Sequence, residues 1–198
     1  MKTQNHFNRR GIDFDTPCYW VIERVEYPVL FFKHLAKLLP MGSVLYFEGG
    51  KISPAAAGLY AAHRAEFWTE VVQETVMPLP QMYHCAMSDE LLKSLGEMAA
   101  GRPASDLFNY LKAYREAKLL FAWNDAYEGE LCISDRVPEH SVERFCQAMG
   151  VSCRREKTTP PKPEAIEKVS LKSESLDDDD DPASDSWYQR ARTWLTQN

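Results

Sequence analysis

Residues 44–54 read VLYFEGGKISP, and their interpretation decides the class of fold. VLYF is a continuous apolar run closed by Glu48, the pattern of a buried central strand rather than a half-solvated one. Gly49 and Gly50 supply a turn. Ser53 offers a side-chain cap and Pro54 suits the first helical position, so AAAGLYAAHRA (55–65) continues as a helix.

Working outward, CYWVIERVEY (18–27) has the β-branched and aromatic content of a strand. VLFFKHLAKLL (29–39) places apolar residues at helical spacing, with Pro40-Met41-Gly42 as its stop. On the other side, EFWTEVVQETVMPLP (66–80) is ambiguous. Its cluster Val71, Val72, Thr75 and Val76 tilts the reading to strand, ended by Pro78 and Pro80. QMYHCAM (81–87) predicts a further strand. SDELLKSLGEMAAG (88–101) is a helix capped by Ser88, with Asp89 and Glu90 in its positive first turn. LFNYLKAYR (107–115) and LLFAWNDAY (119–127) flank Glu116-Ala117-Lys118 as a hairpin, with a helix as the alternative for the first arm. ELCISDRV (130–137) is another strand, and SVERFCQAM (141–149) a final helix ended by Gly150. The expected fold is α+β: a single mixed or antiparallel sheet with helices packed mainly on one face.

Beyond this body, expected over 18–152 after a loosely ordered 1–17, the composition changes. Residues 153–183 hold clustered prolines, dense charge and Asp177–Asp181, and predict a disordered acidic linker. The net charge of −6 divides unevenly: residues 1–155 carry −2 and residues 156–198 carry −4. The body is therefore near neutral and has no basic footprint for nucleic acid. The longest apolar runs are interrupted by Lys33, His34, Lys37 and Pro40, which argues against a membrane span or an export signal. Five cysteines without a CxxC pair point to a reducing, cytoplasmic setting and to no zinc site. No cofactor is expected.

Three stretches invite a functional reading. In the last, SDSWYQRARTWLTQN (184–198), an α-helix gathers Trp187, Tyr188, Ala191, Trp194 and Leu195 into an arc of about 120°, with Arg190 at its flank. So short a helix is marginal alone in water. The expectation is that it docks, on a partner or on the body, with Trp, Tyr and Arg as its contact residues. In the second, Gly49, Gly50, Lys51 and Ser53 resemble a phosphate cradle at a helix start. The P-loop spacing GxxxxGKS fails, because Leu45 and Ile52 stand at two of its fixed positions. In the third, Trp123, Asp125 and Tyr127 share strand parity and predict a surface patch for a basic partner. A looser grouping of His84 with Glu48 or Asp125 near strand ends offers acid–base chemistry without a local motif to enforce it.

The leading expectation is a non-enzymatic protein–protein interaction protein: an adaptor, a regulator or an immunity-type inhibitor with a tryptophan helix on an acidic tether. Its partner is another protein, with a basic one favoured by long-range attraction. The alternative is a small enzyme or a phosphate- or nucleotide-binding domain centred on the Gly49–Ser53 turn.

Overall fold

The computed structural model of the chain describes residues 11–75 and 79–157. The expected linker beyond Lys157 and the C-terminal helix, with Trp187, Tyr188, Arg190, Ala191, Trp194 and Leu195, lie outside the described residues, as do residues 1–10.

Seven strands build one sheet: β1 (Cys18–Ile22), β2 (Val44–Gly49), β3 (Gln81–Ala86), β4 (Tyr110–Arg115), β5 (Lys118–Trp123), β6 (Leu131–Ser134) and β7 (Arg154–Lys157). Their order is β3-β2-β4-β5-β6-β1-β7, and every neighbouring pair is antiparallel. Four helices, α1 (Pro28–Leu38), α2 (Pro54–Ala62), α3 (Asp89–Ala99) and α4 (Glu139–Met149), contribute to one core on one face of it. The α+β class with a single sheet and one helical layer is therefore the architecture of this body.

Local chemistry sets the helix ends. The Ser53 hydroxyl accepts from the Ala56 amide at 3.3 Å, and the Ser88 hydroxyl from the Leu91 amide at 3.2 Å. Each satisfies one of the donors that a helix start leaves orphaned. Gly150, at φ 68°, closes α4 in the left-handed conformation that glycine adopts without penalty. The β4–β5 connection is tight, with Glu116 at φ 57°, and Leu120 is the extra residue of a bulge opposite Ala113 and Tyr114.

The helix-side core is aromatic. The Phe31 ring of α1 lies 4.7 Å from Trp123 and about 6 Å from Phe121 and Phe145, in tilted and edge-on arrangements. Leu45, Phe47, Leu111, Ala113, Leu131 and Ile133 supply the sheet side of this layer. The alternate residues of β2 and β4 point the other way, and there the expected picture changes.

EFWTEVVQET (66–75) is not a strand. It crosses the second sheet face as an irregular strap whose single bridge joins Val71 to Ile12. Val71 and Val72 are buried there, so the β-branched cluster reflects burial and not strand pairing. Residues 12–16, expected to be loose, are anchored beside the strap. The Ile12 amide donates to the Glu70 carbonyl at 2.8 Å, and its carbonyl accepts from Val72 at 3.0 Å. The Thr16 hydroxyl binds Asp135. The expected linker also begins later than its composition suggests, because Arg154–Lys157 form β7 against β1. Arg154 pairs there with Glu23, Glu130 and Glu156, and the Arg155 guanidinium lies over the Trp20 ring.

The loop after β5 fixes a firm steric demand. The Trp123 indole donates to the Gly129 carbonyl at 3.2 Å, and the Asp125 carbonyl accepts from Glu128 and Gly129. A methyl group on Gly129 would sit 2.0 Å from the Asn124 carbonyl oxygen. Gly129→Ala is expected to cost about 1–3 kcal/mol in urea denaturation. Gly58→Ala, in an exposed interior position of α2 with open space around it, is expected to stabilise by about 0.5–1 kcal/mol.

Candidate functional site

The second sheet face carries a polar layer that includes two fully buried charged side chains. Strand register brings Tyr46 of β2 across from Lys112 of β4 and His84 of β3, and Glu48 across from Tyr110. Glu48 is 0% exposed and Lys112 1%. Burying either ion is expensive unless hydrogen bonds replace its hydration. The strap provides them. The Glu48 carboxylate accepts from the Tyr46 hydroxyl at 2.7 Å, from the Glu74 amide at 3.0 Å and from the Thr75 amide. The Lys112 ammonium donates to the Val72 carbonyl at 2.8 Å and pairs with the Glu74 carboxylate at 2.6 Å. Burial first, and then the Glu48 carboxylate, push the Tyr46 phenol well above its ordinary range, so it remains a donor.

A second cluster lies at the β3 side. The Trp68 ring stacks on His84 at 4.6 Å, and the Tyr46 ring lies tilted 5.0 Å from it. His84 Nδ1 is 2.8 Å from the Tyr114 hydroxyl, which accepts from the Thr69 amide at 3.2 Å. Burial, assisted by the Arg64 charge, lowers the His84 pKa to about 4. Burial raises the Tyr114 phenol, with the Thr69 hydrogen bond opposing it. Both groups are thus neutral at pH 7. One hydrogen bond therefore joins a neutral phenol to a neutral imidazole.

This geometry does not make the expected acid–base pair. His84 and Glu48 share a face, but Tyr46 binds Glu48 and Tyr114 binds His84, with no hydrogen bond between the two. Asp125 sits exposed on the loop after β5, at φ 48°. Cys85, adjacent to His84 in sequence, faces the opposite core, where burial pushes its thiol up to about 12.

The Trp123–Asp125–Tyr127 patch is overturned. Strand β5 ends at Trp123, which is 0% exposed, and the strand parity that would align the three residues stops there. Tyr127 turns back at φ 74° to place its ring 5.6 Å from Trp123 and 6.1 Å from Phe108, as core support. At the Gly49–Ser53 turn two amides have internal acceptors. Gly50 donates to the Asn109 side chain at 3.1 Å, and Ser53 donates to the Asp106 carbonyl at 2.8 Å. Gly49 is buried with little space for a side chain, since a Cβ would lie 3.0 Å from Ile52. Lys51 is exposed. These contacts make the turn a joint between β2 and the segment preceding β4.

Sequence reasoning missed Trp68, Glu74, Lys112 and Tyr114. A lysine inside the apolar run of LFNYLKAYR was the available signal, matched by the glutamate inside VLYFE. It also missed an apolar rim around β3. Phe67 and Leu79 are 81% and 84% exposed, and Trp68 and Met82 about half exposed. Phe67 and Trp68 lie where the strap passes over β3, Leu79 leads into that strand, and Met82 is on it. Among the described residues the strand is the edge of the sheet, and only its far end is covered, where Ala65 and His63 bond to His84 and Ala86.

Comparison with protein-family models, with curated proteins and with solved structures finds no match to this chain. Among the described residues no group of histidine, cysteine, aspartate or glutamate has the arrangement of a metal site, and no helix is long and apolar enough to cross a membrane.

The His84 clasp has a pH signature. Its folded pKa lies below the ordinary 6.5, so the fold prefers the neutral ring. The stability this group contributes is complete above about pH 6.5 and is lost as pH falls towards 4. His84→Gln should flatten the pH dependence of denaturant midpoints in that window. A variant whose midpoint falls with acid as steeply as the wild type's would contradict the assignment.

Proposed function

We propose that this chain is a non-enzymatic protein-binding module, with the rim of β3 as its contact surface on the folded body. The observation that carries this reading is the concentration of Phe67, Trp68, Leu79 and Met82 around one sheet edge. The other exposed large apolar residues, Tyr27, Val29 and Met41, belong to α1 and its flanking turns, and scattered residues of that kind need no special account. Two neighbouring aromatics with aliphatic support are the composition of interface anchors.

The opposite edge supports the contrast. β7 presents Arg154, Arg155, Glu156 and Lys157, a short charged strand of the kind that resists unwanted pairing. From Leu79 to Met87 the β3 segment carries no acidic residue, lysine or arginine. The buried acid, lysine and histidine of the second face are engaged in holding the strap, which favours binding over catalysis. In the same reading the aromatic segment 184–198 supplies a second contact, and the acidic residues before it attract a basic partner.

Co-purification from the native host should compare the full chain, the double variant Phe67→Ser/Leu79→Ser and a chain ending at Pro182. The double variant is expected to keep its melting temperature, because both side chains are exposed. It should lose affinity for its partner about thirtyfold, the equivalent of about 2 kcal/mol for hot-spot residues. Equal recovery of the same partners by the full chain and the double variant would remove the β3 rim from the interface. Equal recovery by the shortened chain would remove the terminal segment.

A further inference from the structure

Helix α4 ends with a reversal, and a cysteine lies on each side of it. Gly150 adopts φ 68° and its amide donates to the Gln147 carbonyl at 3.2 Å. The Val151 amide then donates to the Cys146 carbonyl at 3.0 Å, which lays the next extended residues back over the last turn of the helix. Residues two apart in an extended segment face the same side. Val151 and Cys153 accordingly both pack on the helix-side core, the cluster to which Cys146 belongs. Both thiols are free, with Cys146 buried and Cys153 partly exposed. Burial and the neighbouring Cys153 thiol push the Cys146 thiol up to about 12.

We propose that Cys146 and Cys153 are an oxidisable pair, and that a peroxide converts them to a disulfide that fastens the start of β7 to α4. The exposures assign the order of events. The Cys153 thiolate attacks one oxygen of the peroxide and the O–O bond breaks. Hydroxide leaves and takes up a proton as water, and Cys153 becomes a sulfenic acid. The Cys146 sulfur then attacks the sulfenic sulfur, whose S–O bond breaks. The Cys146 proton leaves with that oxygen as a second water. Two thiols and one peroxide yield one disulfide and two waters, with sulfur oxidised and peroxide oxygen reduced.

The consequence lies in β7. Cys153 directly precedes Arg154, and β7 is a four-residue strand that among the described residues lies at the sheet edge and pairs with β1 alone. A covalent link one residue before the strand would limit its fraying from the sheet. Since the second step uses the buried thiol, disulfide formation should quicken as pH rises.

The full-length chain, treated with hydrogen peroxide and then alkylated, should be digested at lysine and arginine. Residues 145–154, FCQAMGVSCR, contain both cysteines between consecutive cleavage points at Arg144 and Arg154. The expected product is that peptide lacking two hydrogens and carrying no alkyl group, while Cys85 remains alkylated. A doubly alkylated 145–154 peptide, or a Cys153 sulfinic acid beside an alkylated Cys146, would overturn the pairing. Cys146→Ser, which keeps the shape of the site, should instead leave Cys153 as a sulfenic acid or its overoxidised forms. Amide exchange at residues 154–157 should slow at least severalfold in the oxidised chain. Unchanged exchange in a chain that does form the disulfide would overturn the fastening of β7.

Discussion

A carboxylate and an ammonium buried in the middle of one sheet face constrain everything laid over that face. Glu48 and Lys112 cannot stay charged and dry without replacement for their hydration. The strap answers with backbone groups, the amides of Glu74 and Thr75 for the acid and the carbonyl of Val72 for the lysine. Its own Glu74 side chain balances the lysine charge. An irregular segment thereby gains the specificity that regular strand pairing would otherwise provide. The sheet is covered on both sides although the four helices of the described residues lie on one.

From this clasp the rest of the second face follows. With residues 72–75 held over β2 and β4, the earlier strap residues must pass over the β3 and β4 side chains. Trp68 meets His84, and the Thr69 amide meets the Tyr114 hydroxyl. The Thr69 hydroxyl reaches the Glu116 carbonyl at the β4–β5 turn. Val71 then completes the small apolar cluster of Tyr46, Tyr114 and Leu119, with Ile12 and Phe14 against it. The exposed rim at Phe67, Leu79 and Met82 is the border of this layer. The surface proposed for binding is thus positioned by a polar interaction some residues away.

Much of the fold was legible in the chain. Ser53, Ser88 and Gly150 announce helix ends through chemistry local to each, and the two arms around Glu116-Ala117 announce their hairpin. VLYFE reads as doubly buried because it is: helices cover Leu45 and Phe47, and the strap covers Tyr46 and Glu48. What escaped reading depends on distant partners. Val71 and Val72 look like strand residues because burial selects the same side chains as strand pairing. Arg154-Arg155-Glu156-Lys157 looks like the start of a linker, because its pairing with β1 rests on backbone bonds and on Glu23 and Glu130 far away in sequence. Trp123 looks available because strand alternation was carried past the residue where the strand stops. The site suffered most, since Glu48 and Lys112 are anomalous one by one and intelligible only with residues 72–75 above them.

The most direct test of this account is amide hydrogen exchange at Glu74 and Thr75, in the wild type and in Glu48→Ala. The clasp predicts protected amides in the wild type. In the variant that protection should fall markedly at these two positions, while α1 and α4 remain protected. Wild-type amides at Glu74 and Thr75 that exchange as fast as an unstructured peptide would contradict the claim that the buried carboxylate holds the strap.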